Sequence, residues 1–166
     1  MKKIMFNDKF LLTQAVLRGD KTQTRRIVKD GTPLGNFEET MKHAPYKVGE
    51  IVAVAQCYLD IGSPQFDKFG YDVLGNTNKM FVRTDLMPHH IRITDVKVER
   101  LQSISEEDAL KEGICELAFD YYLPNGYEKS FSMPHEAFAY LIDKVSGKGT
   151  WESNPYVWVY DFELVN

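Results

Sequence analysis

Between His90 and Leu101 the apolar residues change sides: Ile91 and Ile93 share one parity, Val96 and Val98 the other. Successive side chains of a strand point to opposite faces, so an extra residue near Thr94-Asp95, as in a β-bulge or bend, would bring both pairs to one core. A bulge bends its strand, and bent strands let a small sheet curl toward a barrel. Three other segments read as strands. Ile4-Met5-Phe6 is short, and Glu50 to Tyr58 is a buried run. Tyr156 to Leu164 is apolar on both faces in its first half and alternates in its second.

The helical patterns are brief. Asp8 is placed to cap a helix through Phe10, Leu11, Val16 and Leu17 that Gly19 ends. Ser105 caps the acidic run Glu106-Glu107-Asp108, and that helix carries on into Glu112 and stops at Gly113. Pro134 opens a third, with Phe138, Leu141, Ile142 and Val145 on one face and Gly147 at its end. Residues 29–46, with Gly31, Pro33, Gly35 and Pro45, read as a loop. Residues 60–80 read as a second loop with one hairpin, and a connection of that length is often functional. About five or six strands with about three short flanking helices predict a single α+β domain over 1–166, built around a small mixed β-barrel.

No apolar run approaches the roughly 20 residues of a membrane span, and the N-terminus is charged again at Asp8 and Lys9. A cytoplasmic protein with no membrane partner is expected, its oligomeric state open. Cys57 and Cys115 lie far apart and read as free thiols. Their spacing to His43, His89, His90 and His135 matches no zinc site, so neither metal nor cofactor is expected. The net charge of −4 argues against a duplex-coating protein. Residues 1–30, however, hold eight basic and three acidic side chains, +5 against −9 for the remainder. A basic patch on an acidic body suits a small anionic ligand or a short RNA segment.

The densest part of that patch, Arg18-Gly19-Asp20-Lys21-Thr22-Gln23-Thr24-Arg25-Arg26, resembles the signature of the ASCH family, roughly Gly-x-Lys-x-x-Thr-x-Arg. Three segments agree with that family in order. They are Val48-Gly49-Glu50-Ile51-Val52, the strand and helix from Ile93 through Glu112-Gly113-Ile114, and the closing Asn154-Pro155-Tyr156-Val157-Trp158-Val159, the last two in the form of phage- and prophage-associated members. The resemblance spans nearly the whole chain and implies a PUA-like fold. Some members are amidohydrolases that remove the acetyl group from N(4)-acetylcytidine, using a lysine and a threonine of the signature and a later glutamate. Carried onto this chain, those are Lys21, Thr24 and Glu112. Other members are linked to RNA binding or RNA cleavage. Phage-type members tend to end the second strand Arg-Glu-Thr-Trp, where this chain has Ala55-Gln56-Cys57-Tyr58.

On that reading Thr24 is a nucleophile, Lys21 its base and Glu112 a proton shuttle. A free lysine titrates near 10.4, so Lys21 must fall by about 3 pH units, roughly 4 kcal/mol, to act as base. Burial and the neighbouring Arg25, Arg26 and Arg18 push that way, and a nearby Glu112 pushes back. The negative end of the helix disfavours a charged carboxylate at Glu112, which suits a group that gives and takes a proton. Arg25 or Arg26 can clamp a phosphate, with Thr22 beside them. Tyr58 and Trp151, at strand ends, are the residues expected to stack on a base. Three functions follow: an RNA- or nucleoside-binding protein with amidohydrolase activity on an acylated cytidine, a non-catalytic RNA-binding module, or a ribonuclease using Lys21 and Glu112.

Overall fold

The computed structural model describes residues 1–166. The strands are β1 (Lys3–Ile4), β2 (Gln23–Ile27), β3 (Ile51–Val54), β4 (His90–Arg100), β5 (Cys115–Leu117), β6 (Asp120–Tyr122) and β7 (Tyr156–Leu164). The helices are α1 (Leu12–Arg18), α2 (Phe37–Lys42), α3 (Glu106–Lys111), α4 (Pro134–Ser146) and α5 (Thr150–Ser153). Five strands form one sheet in the order β1-β3-β4-β7-β2, with β1 parallel to β3 and the other pairs antiparallel; β5 and β6 make a separate hairpin. The fold is α+β, as the pattern of short helices and strands predicts.

β4 is the spine of the sheet. It pairs with β3 through His90, Ile91 and Arg92, and with β7 along its length. Its register shifts between Ile93 and Asp95, the bulge that the parity change calls for, so that Ile91, Ile93 and Val96 are all buried. β7 buries Val157 through Tyr160 and Phe162 and leaves Glu163 and Leu164 exposed. α4 covers the core with Phe138, Leu141 and Ile142, opening on Pro134 and ending at Gly147.

The barrel is not closed by backbone. β1 is only two residues long, and no ladder joins it to β2 at the other edge of the sheet. The gap is spanned by a side chain: Arg26 on β2 donates from Nη2 to the Met5 carbonyl at 2.8 Å. Asp8 does not cap the first helix. Residues 8–11 form a turn ending in Leu11 at φ 57°, and Asp8 instead accepts from the Thr13 hydroxyl at 2.6 Å. Two short helices add to the three expected. α2 lies in the stretch read as a loop, capped by Asn36, whose side chain accepts from Glu39 N. α5 is four residues long.

The 60–80 segment is ordered by its own small core. Tyr58, Val82 and Met87 pack with Ala53 and Ala55 on the far side of β3. Buried Asn76 bonds the Gln65 backbone through both its oxygen and its nitrogen, each at 2.8 Å. The expected hairpin shrinks to one bridge, Phe66 with Asp72. At Gly75 a Cβ would stand 2.6 Å from the Tyr58 ring, so the close approach needs glycine.

Tyr160, fully buried in β7, carries a hydroxyl with no hydrogen bond; the Tyr46 N–H lies near but outside bonding geometry. Burial pushes its phenol up to about 12. The unfolded chain therefore loses this proton first, near pH 10, and stability falls as pH rises from there toward 12. Tyr160→Phe is expected to stabilise the protein by about 1 kcal/mol at pH 8, because an unsatisfied buried donor is removed. It should also flatten the alkaline loss. Urea midpoints of both proteins at pH 8 and 11 measure this; a variant less stable than its parent at pH 8 contradicts it.

Candidate functional site

β2 presents two different rows of side chains. Gln23 and Arg25, preceded by Lys21, point one way; Thr24 and Arg26 point the other, as alternation requires. The first row meets the end of α3. That meeting is fixed by backbone, since Thr22 N donates to Lys111 O at 2.9 Å, and it brings the residue after α3, Glu112, over Lys21.

Glu112 is 4% exposed and its carboxylate is shared. Oε1 takes a hydrogen bond from Lys21 Nζ at 2.9 Å, and Oε2 takes one from Arg25 Nη1 at 2.9 Å. Lys21 gives its other two protons to Glu112 O at 2.9 Å and Gln23 O at 2.7 Å. An ammonium has three donors, so Lys21 is saturated. Arg25 reaches on from Nη2 to Glu99 at 2.8 Å and Asp108 at 3.4 Å, and Nη1 also donates to Gln23 Oε1. Gln23 Nε2 donates to Asp161 Oδ1 at 2.7 Å. The Arg25 side chain has no exposed surface. Burial opposes its charge, yet Glu112 and Glu99 prevail and hold the guanidinium above its ordinary range. For Lys21 burial prevails: it pushes the ammonium below the usual lysine range against the pull of Glu112, and Arg26 and Arg25 add to the fall.

The second row lines a cavity of about 200 Å3 between β2, the Met5–Asn7 segment and α4. Its apolar wall is made by Phe6, Leu12, Phe138, Leu141 and Ile142, and Lys21, Thr24, Arg25, Arg26 and Glu112 supply the polar side. Arg26 donates from Nε to the Thr24 hydroxyl at 3.2 Å and from Nη2 to Met5 O, and it lies 5.3 Å from the Phe6 ring centre. It forms no ion pair, unlike Lys21 and Arg25. Arg26 Nη1 has no partner within the chain and the Thr24 proton is uncommitted, so these two groups are free to meet a ligand.

Lys21, Thr24 and Glu112 thus border one cavity, but Lys21 makes no hydrogen bond to Thr24, whose oxygen is occupied by Arg26. Arg25 lines the cavity with its charge fully spent inside the protein. Thr22 is half-buried and lies outside the lining. Tyr58 is a correction: it is 2% exposed in the far core, where its hydroxyl accepts from Arg83 N at 2.8 Å. Trp151 also stands outside, edge-on to Phe138 at 6.2 Å as part of the support for α4. The 60–80 segment supplies no lining residue and is not a lid over this cavity. Glu99, Asp108 and Asp161 belong to the network and were not legible as such. Gln23 was more accessible, because it shares parity with Lys21 and Arg25.

Removing one partner from a buried network leaves uncompensated charge. Glu112→Gln is expected to cost about 3–5 kcal/mol, since Lys21 and Arg25 both lose their shared counter-ion. Urea unfolding measures it, and a loss below about 1 kcal/mol would show that the network is not the buried anchor described here.

No protein-family model matches the sequence, and no curated protein matches it. Among solved structures the chain is similar to a protein from Enterococcus faecalis V583 of family-model DUF984, at TM-score 0.48 and 15% identity over 99% of this chain and 80% of that one. It is also similar to an ASCH domain from Lactobacillus crispatus JV V101, at TM-score 0.41 and 16% identity over 93% of this chain and 70% of that one.

Proposed function

We propose that the cavity holds a single nucleoside, free or as part of an RNA strand, with Arg26 and Thr24 as its polar contacts. The observation that carries this reading is the contrast between cations. Lys21 and Arg25 are neutralised within the protein, whereas Arg26 lines the cavity with no carboxylate partner and with no hydrogen bond from Nη1. An apolar wall opposite a few convergent donors is the usual build of a small-molecule site. A volume of about 200 Å3 lies below the range for drug-sized ligands and suits one flat ring. A pyrimidine offers carbonyl and ring-nitrogen acceptors to Arg26 and Thr24, and its face to the apolar wall. The likeness of the Lys21–Arg26 segment to the ASCH signature supports the same class of ligand.

Hydrolysis of an N(4)-acylated cytidine is a second reading, and one observation favours it: Lys21 is buried and pushed downward in the same cavity as Thr24 and Glu112. In that reaction water is consumed, the bond between the acyl carbon and N4 breaks, and cytidine and acetate leave. Lys21 would have to give up a proton, and the acceptor already bonded to it is Glu112. It would also have to turn from the Gln23 carbonyl toward Thr24.

Arg26→Ala is expected to weaken cytidine binding by about 10- to 100-fold, the effect of a charge-assisted hydrogen bond. Isothermal calorimetry with cytidine reads this, and equal affinity for both proteins removes the proposal. For the second reading, incubation with N(4)-acetylcytidine should release cytidine, detected by chromatography, with release abolished in Lys21→Ala. Absence of turnover in the parent protein leaves binding alone.

A further inference from the structure

A second cavity, of about 300 Å3, lies on the neighbouring face of α4 and takes its lining from Lys9, Lys129, Lys144, Tyr140 and the chain around Asn125 and Glu128. Six of the other eleven lysines pair with a carboxylate and five do not, so what sets these three apart is that they share one cavity without a counter-ion. Lys2, Lys21, Lys79 and Lys111 each meet a carboxylate. Lys9, Lys129 and Lys144 are exposed, pair with none, and share the lining with a single acid, Glu128. Two of them bracket one aromatic ring: Lys129 Nζ is 4.3 Å and Lys144 Nζ 5.2 Å from the Tyr140 ring centre. Those two ammonium groups are therefore within about one screening length of each other at 0.1 M salt and repel. A chain with more acidic than basic residues has carboxylates to spare, yet none neutralises this group. A polyanion would relieve the repulsion.

The position of the group says which polyanion. Along α4, Leu141 and Val145 line the first cavity, and Tyr140 and Lys144 line the second. Each pair is spaced i, i+4, so the two cavities are adjacent stripes of one helix. The start of α1 repeats the arrangement, with Phe10 of the preceding turn in the second cavity and Leu12 in the first. The two sites flank one helix, whose diameter is about 10 Å. Basic side chains interleaved with an aromatic ring are also how proteins track a single strand without reading its sequence.

We infer that Lys9, Lys129 and Lys144, around Tyr140, form a phosphate-tracking groove for the single-stranded RNA that flanks a nucleoside held in the first cavity. This rests on the nucleoside reading above, but it assigns the ligand a polymer and gives the flanking phosphates their own contacts.

The test compares the parent protein with Lys9→Ala/Lys129→Ala/Lys144→Ala, using two probes. One is a fluorescein-labelled oligocytidine RNA of about ten nucleotides, within the span one small domain covers, followed by anisotropy from 50 to 300 mM salt. The other is free cytidine, followed by calorimetry. The triple variant is expected to lose about 10- to 100-fold in RNA affinity and about 2 in the slope of log affinity on log salt, the share of three single-strand phosphate contacts. Cytidine binding should be unchanged, and so should the melting temperature, because all three side chains are exposed. If cytidine binds but the variant keeps the parent's RNA affinity and salt slope, the groove is overturned and the nucleoside site stands. If the RNA binds through the lysines but cytidine binds neither protein, the groove stands and the nucleoside site fails. If the parent does not bind the RNA, or anionic lipid vesicles capture it with the same lysine dependence while RNA does not, the inference is wrong.

Discussion

The Glu112 carboxylate, placed between an ammonium and a guanidinium, holds together parts of the chain that the sheet alone does not join. Lys21 lies in the turn between α1 and β2, and Arg25 within β2; Glu112 ends α3, Glu99 belongs to β4, and Asp161 joins through Gln23 from β7. A buried ion pair is weak ground for net stability, since both charges were taken out of water to make it. What it fixes is position. β2 is an edge strand paired only with β7, so its outer side has no backbone partner. The charge network, with the Thr22–Lys111 bond, takes the place of a neighbouring strand and sets how β2 lies against α3.

That same network decides what the cavity can do. Deprotonated, Lys21 would present two donors and a lone pair to three oxygens that now accept from it. One oxygen would then face the lone pair, unless Glu112 received the proton. Arg25 resists that transfer, because it holds the other carboxylate oxygen at 2.9 Å. Burial favours a neutral lysine, and the hydrogen-bond geometry favours the ion pair. An enzyme built on these residues would need its substrate to rotate Lys21 away from Gln23 O. A binding site needs no such change, which is why Arg26, and not Lys21, is the centre of the proposal.

Much of this was legible wherever a pattern had only one physical solution. The parity change in β4 called for an extra residue, as a bulge or a bend, and the register shift is there. Ser105, Gly113, Pro134 and Gly147 marked helix ends by stereochemistry that tertiary contacts did not override. Asp8 failed because Asn7 took the competing role: its side chain accepts from Phe10 N and its carbonyl from Leu12 N, which moves the helix start to Leu12. α2 was hidden because it is six residues long and buries only Thr40, so no apolar period announces it. At the site, Lys21, Thr24 and Glu112 came from a resemblance, and β2, the turn before it and the end of α3 bring all three to the border of one cavity. Tyr58 was expected to stack on a base, but it is buried away from the cavity. Its hydroxyl found Arg83 N in the small core beneath 60–80, a long-range contact that local sequence does not encode. Glu99, Asp108 and Asp161 looked like surface acids for the same reason.

The open edge of the sheet and the cavity have one cause. Had β1 continued past Ile4 and paired with β2, the carbonyl of Met5 would bond a backbone N–H and the space between the edges would be filled. The chain instead leaves the sheet after two residues and turns at Asn7 into α1. The remaining opening is narrow enough for one guanidinium to cross. Arg26 therefore has two tasks with different demands. As a latch it uses Nε and Nη2 on Thr24 and Met5, and Nη1 is left for the ligand contact proposed above. A lysine could not divide its charge this way, because a point charge lacks the planar fork that makes several bonds in fixed directions. The arginine fits a sheet whose edges are joined by a side chain and leave a cavity beside it.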